Sequence, residues 1–213
     1  MNGENIPISY TFHGITIHAD VKNKLYFTHD TSIYSNKISN KIYDELKSSI
    51  TFEKDIKLRI HGREVTIPRK QTAYGDDGIS YGYSGIRIPA KPWIPILLEI
   101  KNAIELLSGK NFNFCLVNYY HDGTQYIGPH KDDERELQSG SYIVSVTFGQ
   151  ERIFRFTPDD PKIPKVDIKL PNGCILMILP PTNRFWKHSV PKKSKNLCPK
   201  PRFNLTFRSI LID

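Results

Sequence analysis

Apolar and polar positions alternate strictly through Arg202-Phe203-Asn204-Leu205-Thr206-Phe207-Arg208, near the end of the 213-residue chain. Strand side chains point alternately to opposite faces, so Phe203, Leu205 and Phe207 share one face. Arg202, Asn204, Thr206 and Arg208 share the other. An ordinary half-buried strand turns such a polar face to water. The same stripe also suits an inward wall that grips a small dianion, because each guanidinium forks onto a carboxylate. From the strand alone the solvent-facing reading leads.

Upstream, β-type patterning recurs over roughly 112–120, 142–148, 152–157, 166–170 and 174–179, with 202–210 last, punctuated by Gly and Pro. Many short strands of this kind predict a mainly β fold, a sandwich or jelly roll. Ile56, Leu58 and Ile60, then Val65 and Ile67, alternate across His61-Gly62-Arg63 and predict a β-hairpin with Gly at its tip. Tyr81 and Tyr83 share a strand face just past the turn Gly75-Asp76-Asp77-Gly78, a spacing that usually means packing. Two flanking helices interrupt the β pattern. Pro92 to Ser108 carries Ile96, Leu97, Ile100, Ile104 and Leu107 on one stripe, with Pro92 in the first turn and Gly109 as the C-terminal cap. Ser39 to Ile50 reads as the other, with Ile42 and Leu46 on one face and Ser39 as the candidate cap. Residues 1–37 suggest strands only, and Pro158 to Pro164 reads as a surface loop.

Composition narrows the partners. The chain carries 30 Lys and Arg against 22 Asp and Glu, a net charge of +8, which favours a polyanion. No apolar run approaches a membrane span, and Met1 to Asp20 lacks a signal-peptide core. Cys115, Cys174 and Cys198 are odd in number and far apart, which argues against a disulfide framework and for a reducing, intracellular setting. The length fits one compact domain.

Candidate chemistry then changes the picture of the polar stripe. His130-Lys131-Asp132 places an imidazole and a carboxylate on one side of an extended chain, and His188 follows 56 positions after Asp132. Two His and one carboxylate occupy one face of an octahedron and leave the rest open, the arrangement of non-haem Fe(II) oxygenases. His13, His18, His29 and His121 read as ordinary surface or core residues. Arg202 lies 14 positions after His188, and Asn118 and Tyr120 add a second pair with two-residue spacing. Iron ligands, an open face and a dianion cradle together imply 2-oxoglutarate. A non-enzymatic jelly roll that binds zinc or a sugar has no use for that cradle.

At these residues the chain resembles the AlkB family of Fe(II)/2-oxoglutarate-dependent nucleic-acid dealkylases, most closely its duplex-DNA-repair branch. The resemblance runs from about Ile56 to Ile210. It rests on Pro68-Arg69-Lys70-Gln71, Tyr74-Gly75-Asp76, Lys91-Pro92-Trp93-Ile94-Pro95, Phe112-Asn113-Phe114 and the Asp122-Gly123 turn. His130-Lys131-Asp132-Asp133-Glu134-Arg135-Glu136-Leu137, Pro181-Thr182-Asn183 and Pro201 to Arg208 complete it. It implies a double-stranded β-helix core over 111–213 and, over 1–110, an N-terminal extension and nucleotide-recognition lid with a hairpin finger.

The resemblance also assigns roles. Iron falls on His130, Asp132 and His188. 2-Oxoglutarate falls on Asn118, Tyr120, Arg202, Thr206 and Arg208, with Asn204 nearby. Asp133 and Glu134 become the polar reader of the damaged base, Tyr81, Tyr83 and His130 its stacking walls. Gln71 and Ser84 stand near the lesion strand, and Arg69 is a further substrate-binding residue. His61 and Gly62 form the finger tip, where the duplex branch commonly carries a bulky apolar residue. The implied reaction converts O2 and 2-oxoglutarate to succinate and CO2 while an N-methyl group is hydroxylated and leaves as formaldehyde. 1-Methyladenine and 3-methylcytosine in single- or double-stranded DNA are the expected substrates, presented as flipped bases. The expected enzyme is a monomer, nuclear if the source is a eukaryote. RNA or protein as substrate is the alternative within the same class.

Overall fold

The computed structural model describes residues 8–12, 15–52, 57–60, 63–83 and 86–211. Its largest element is a nine-stranded sheet in the order Ile8–Phe12, Ile15–Asp20, Leu25–Asp30, Ile175–Ile178, Ile143–Gly149, Arg202–Arg208, Phe114–Tyr120, Lys70–Gly75 and Lys91–Pro92. All neighbours are antiparallel except the last pair. Facing it is a four-stranded antiparallel sheet, ordered Ile127–His130, Trp186–Val190, Arg152–Pro158 and Val166–Leu170. Two sheets face to face make the jelly roll that the patterning predicts. Strands from both sides of residue 110 share the larger sheet.

The predicted strand near the C-terminus lies deep inside this sheet, and both of its faces are buried. Phe203, Leu205 and Phe207 pack with Val117, Val146 and the helix residues Ile96, Leu97 and Ile100 in one core cluster. Arg202, Asn204, Thr206 and Arg208 are 0%, 5%, 9% and 4% exposed on the other face, so the solvent-facing reading fails. That face looks toward the smaller sheet, whose Phe154, Phe156, Trp186 and Val190 form a second core with Leu176 and Ile178.

Both helices differ from expectation at their starts. The second spans Pro95–Ser108, because Lys91–Pro92 pairs in parallel with Tyr74–Gly75 and is held extended. Pro95, not Pro92, takes the first helical turn, and Gly109 ends the helix at φ 63, the left-handed conformation that costs Gly least. The first helix spans Asn36–Ser49 and is capped by Ser35, whose Oγ accepts from the Ile38 amide at 3.4 Å. Ser39 lies inside it and is fully buried, its hydroxyl donating to the Ser35 carbonyl at 3.0 Å.

Two hairpins, Lys57–Ile60 with Arg63–Thr66 and Ser80–Tyr83 with Ile86–Pro89, stand outside both sheets. The first is the predicted finger hairpin; its tip residues His61 and Gly62 lie outside the described residues. No helix among the described residues is long and apolar enough to cross a membrane.

Candidate active site

The histidines meet because their strands pair. The register between Ile127–His130 and Trp186–Val190 shifts before His130 and sets it opposite His188. The two rings lie 4.2 Å apart, centroid to centroid. Asp132 follows two residues on, and its Oδ1 stands 3.6 Å from His130 Nε2 and 3.7 Å from His188 Nε2. Three ligand atoms thus converge within 4.8 Å of one another.

Each group is aimed by its other atoms. His130 Nδ1–H donates to the Gly128 carbonyl at 2.9 Å, which leaves the Nε2 lone pair free. Arg208 donates through Nε and Nη2 to Asp132 Oδ2, each at 2.7 Å, so Oδ1 alone faces the histidines. Asn183 clamps the Asp132 backbone, accepting from its N–H at 3.2 Å and donating to its carbonyl. His188 is held by stacking on Phe154 at 5.4 Å and 12°. Its Nδ1 has no partner among the described residues.

Electrostatics complete the donor set. Burial lowers the pKa of both histidines; for His188, burial first and then the neighbouring His130 bring it down to about 3. Burial pushes Asp132 the other way, but Arg208 and then the two histidines outweigh it and hold it at about 2. Two neutral imidazoles and one carboxylate, their donor atoms within 4.8 Å of one another, suit Fe(II). One consequence is a pH dependence of the metal-free protein. Histidines kept neutral in the fold contribute stability that is fully present above their unfolded value near 6.5. It is lost progressively as pH falls, for His188 toward its folded value of about 3. The melting temperature of the metal-free protein is therefore expected to drop between pH 7 and pH 4, and less so in His188→Gln. Equal slopes in the two proteins would count against this origin.

A cavity of about 60 Å³ lies between the sheets, walled by His130, Asp132 and His188 on one side and Asn118, Asn204 and Thr206 on the other. The stripe is cross-linked. Arg202 Nη2 donates to Thr147 Oγ1 at 2.8 Å and to Asn204 Oδ1 at 2.9 Å, and Asn204 Nδ2 donates to Thr206 Oγ1 at 3.0 Å. Asn118 Oδ1 accepts from Arg69 Nε at 2.8 Å and Gln71 Nε2 at 2.7 Å. Tyr120 lines the cavity, and the fully buried Arg202 lies behind it, 5.3 Å from the ring centroid. Arg202 Nε and Nη1 and Arg208 Nη1 are buried donors without a partner among the described residues. Unmet cationic donors beside a donor set for iron fit a small dianion such as 2-oxoglutarate.

Of the expected base-reading residues, Arg69, Gln71, Tyr81 and Glu134 line the same cavity. Tyr81 is 2% exposed and packs on Phe114 at 5.1 Å, with the Arg208 guanidinium 4.8 Å from its ring. Its hydroxyl bonds Glu134, whose pKa burial raises and whose Oε2 is buried without a partner among the described residues. Asp133 is exposed and lines a neighbouring surface groove. The strand of Tyr83 is described without its side chain, and Ser84 lies outside the described residues. Sequence reasoning had no role for Phe154 or Asn183, although Asn183 stands in one of the quoted motifs.

Residues 25–208 match the 2OG-Fe(II) oxygenase superfamily. Mouse DNA oxidative demethylase ALKBH2 is 40% identical over 190 residues, which cover 85% of this chain and 79% of that protein. The chain belongs to the 2OG-Fe(II) oxygenase superfamily, in its AlkB family. Other AlkB-family relatives are the human DNA oxidative demethylase ALKBH2, 39% identical over 85% of this chain and 72% of its own, and human alkB homolog 3, an alpha-ketoglutarate-dependent dioxygenase, 34% identical over 68% and 53%. The structure of OsALKBH1 superposes with a TM-score of 0.56 over 86% of this chain and 96% of its own; at 18% identity this shows a shared fold. As a 2OG-Fe(II) oxygenase the AlkB-family chain uses Fe(II) and 2-oxoglutarate, and its converged His and Asp side chains suit that metal.

Proposed function

We propose that this chain is a DNA repair dioxygenase that demethylates 1-methyladenine and 3-methylcytosine and releases the methyl carbon as formaldehyde. The observation that carries the reading is one cavity that joins a His-Asp-His donor set to a buried, half-satisfied carboxylate, Glu134. The curated relatives named DNA oxidative demethylase support DNA as the substrate.

His130 Nε2, Asp132 Oδ1 and His188 Nε2 would hold the iron, and Arg208 keeps Asp132 ionised and turned toward it. Bound iron would supply O2 activation coupled to decarboxylation of 2-oxoglutarate. Arg202, Arg208, Asn118, Tyr120 and Thr206 would grip that co-substrate, with Asn204 bracing the stripe. N1-methyladenine and N3-methylcytosine are cationic, so an aromatic wall and a carboxylate select them over neutral bases. Their methyl group lies on the pairing edge, so the nucleotide must leave the stack. The two hairpins outside the sheets, with the finger tip at His61 and Gly62, would form the lid over single- or double-stranded DNA. Tyr83 and Ser84 would complete the base pocket. The enzyme would act as a monomer inside the cell, in the nucleus if its source is a eukaryote.

Mass spectrometry of methylated single- and double-stranded oligonucleotides, incubated with protein, Fe(II) and 2-oxoglutarate, tests the reading. Loss of one methyl mass with succinate formation is expected; methyl loss confined to RNA would replace DNA as the substrate.

The two neighbouring carboxylates should then behave differently. Glu134→Gln keeps size and hydrogen bonding but removes a charge facing the cavity, worth about 1.5–3 kcal/mol against a cationic base. It should cost about tenfold or more on 3-methylcytosine and little on a neutral etheno lesion. Asp133→Asn, on the exposed side, should change both substrates alike. A larger selective loss in Asp133→Asn than in Glu134→Gln would reverse the assignment.

A further inference from the structure

Arg152 opens the strand Arg152–Pro158 and is 3% exposed, with no carboxylate paired to it among the described residues. Its guanidinium donates instead to main-chain carbonyls: Asp122 at 3.2 Å, Gly123 at 3.5 Å, Gln125 at 2.9 Å and Pro191 at 2.9 Å. Burying a cation on carbonyl dipoles alone is costly, and burial lowers the Arg152 pKa accordingly. Ion pairing therefore does not account for its place.

What the carbonyls belong to does account for it. Asp122, Gly123 and Gln125 lie in the loop that leaves Tyr120 on the larger sheet and enters Ile127–His130 on the smaller one. Pro191 directly follows Trp186–Val190, the strand of His188. One planar fork thus binds the loop between the sheets to the segment behind the second histidine. The same guanidinium lies 5.6 Å from the ring centroid of Tyr120, which stands opposite Arg202 in the sheet. The loop has little freedom to settle elsewhere. The Gly123 amide donates to Cys198 at 2.7 Å, its carbonyl accepts from Lys193 at 2.8 Å, and a Cβ there would come within 2.6 Å of the Ser194 carbonyl.

We infer that Arg152 is a positioning residue for 2-oxoglutarate binding, seating Tyr120 and the 121–126 loop from behind. The inference rests on the proposed co-substrate wall. Lys cannot replace it, because an ammonium offers its donors from one point and cannot span carbonyls on two segments.

The test is calorimetric titration of 2-oxoglutarate into the full chain loaded with Mn(II), with the metal affinity measured separately. Arg152→Lys and Arg152→Met should both weaken 2-oxoglutarate about tenfold or more, as misplaced positioning groups do, while metal affinity stays within a factor of about three. Amide exchange across 121–126 should quicken while Phe203 to Phe207 keep their protection. Arg155→Lys, on the same strand but paired with the half-exposed Asp167, should bind 2-oxoglutarate as the parent does. Unchanged 2-oxoglutarate affinity in both Arg152 variants would overturn the inference. So would equal losses for metal and co-substrate with protection lost everywhere, which is mere unfolding. If neither variant folds, Gly123→Ala presses on the same loop from its other side; full affinity there would also overturn it. A parent protein that binds no 2-oxoglutarate would overturn the proposed function along with it.

Discussion

His188→Ala is expected to abolish demethylation while leaving the fold standing. The loss should reach at least about a thousandfold, roughly 4 kcal/mol of transition-state stabilisation. This position is a better test than Asp132. Removing Asp132 strands the Arg208 guanidinium in a buried site, and breaking a buried ion pair costs about 3–5 kcal/mol, a large part of a typical stability of roughly 5–15. Lost activity in an Asp132 variant would then be confounded with lost folding. His188 is neutral, its Nδ1 bonds nothing among the described residues, and its ring packs between Phe154 and His130 without a hydrogen bond to either. Removing it leaves the Asp132–Arg208 pair intact. Circular dichroism and a melting curve establish the fold; succinate release and methyl loss establish turnover. Parent-like turnover in a metal-verified His188→Ala protein would remove His188 from the donor set.

The donor set was legible because its chemistry is local. His130-Lys131-Asp132 carries two candidate ligands in three residues, and the alternation of Arg202 to Arg208 marks one continuous wall. What that wall faces was not legible from the strand itself. The burial of its polar face comes from the smaller sheet, in which Trp186–Val190 pairs with Arg152–Pro158. Neither Trp186–Val190 nor Ile127–His130 was among the predicted strands. The second is short and contains Pro129, and the first shows no clean alternation, with Lys187 alone exposed. Likewise, Asp133 and Glu134 are indistinguishable as neighbouring acids until the chain after Asp132 turns one inward and one outward. Ser35 and Ser39 are equally plausible caps by type, and only the packing that buries Ser39 separates them. Arg152 has no local signal at all: its partners lie 27 to 39 positions away and are main-chain atoms, which any residue carries.

Arg202→Met is expected to separate folding from co-substrate binding, because the two effects should have opposite signs. Arg202 is fully buried, and burial lowers its pKa to about 10, so the side chain remains charged at neutral pH. Only Nη2 is satisfied, by Thr147 and Asn204; no carboxylate pairs with it among the described residues. In the free protein this is an expensive group. Methionine keeps most of the stem and removes the charge, so the free variant should melt no lower than the parent. With 2-oxoglutarate present the order should reverse. A charge-assisted contact is worth about 1.5–3 kcal/mol, so affinity should fall by about one to two decades. A ligand at a hundred times its dissociation constant stabilises a fold by about 2.7 kcal/mol, and the variant should lose most of that gain at the same concentration. Melting curves of the Mn(II)-loaded proteins across a 2-oxoglutarate series read both effects in one experiment. A variant that gains as much as the parent from 2-oxoglutarate would mean that Arg202 braces Thr147 and Asn204 and never meets the co-substrate.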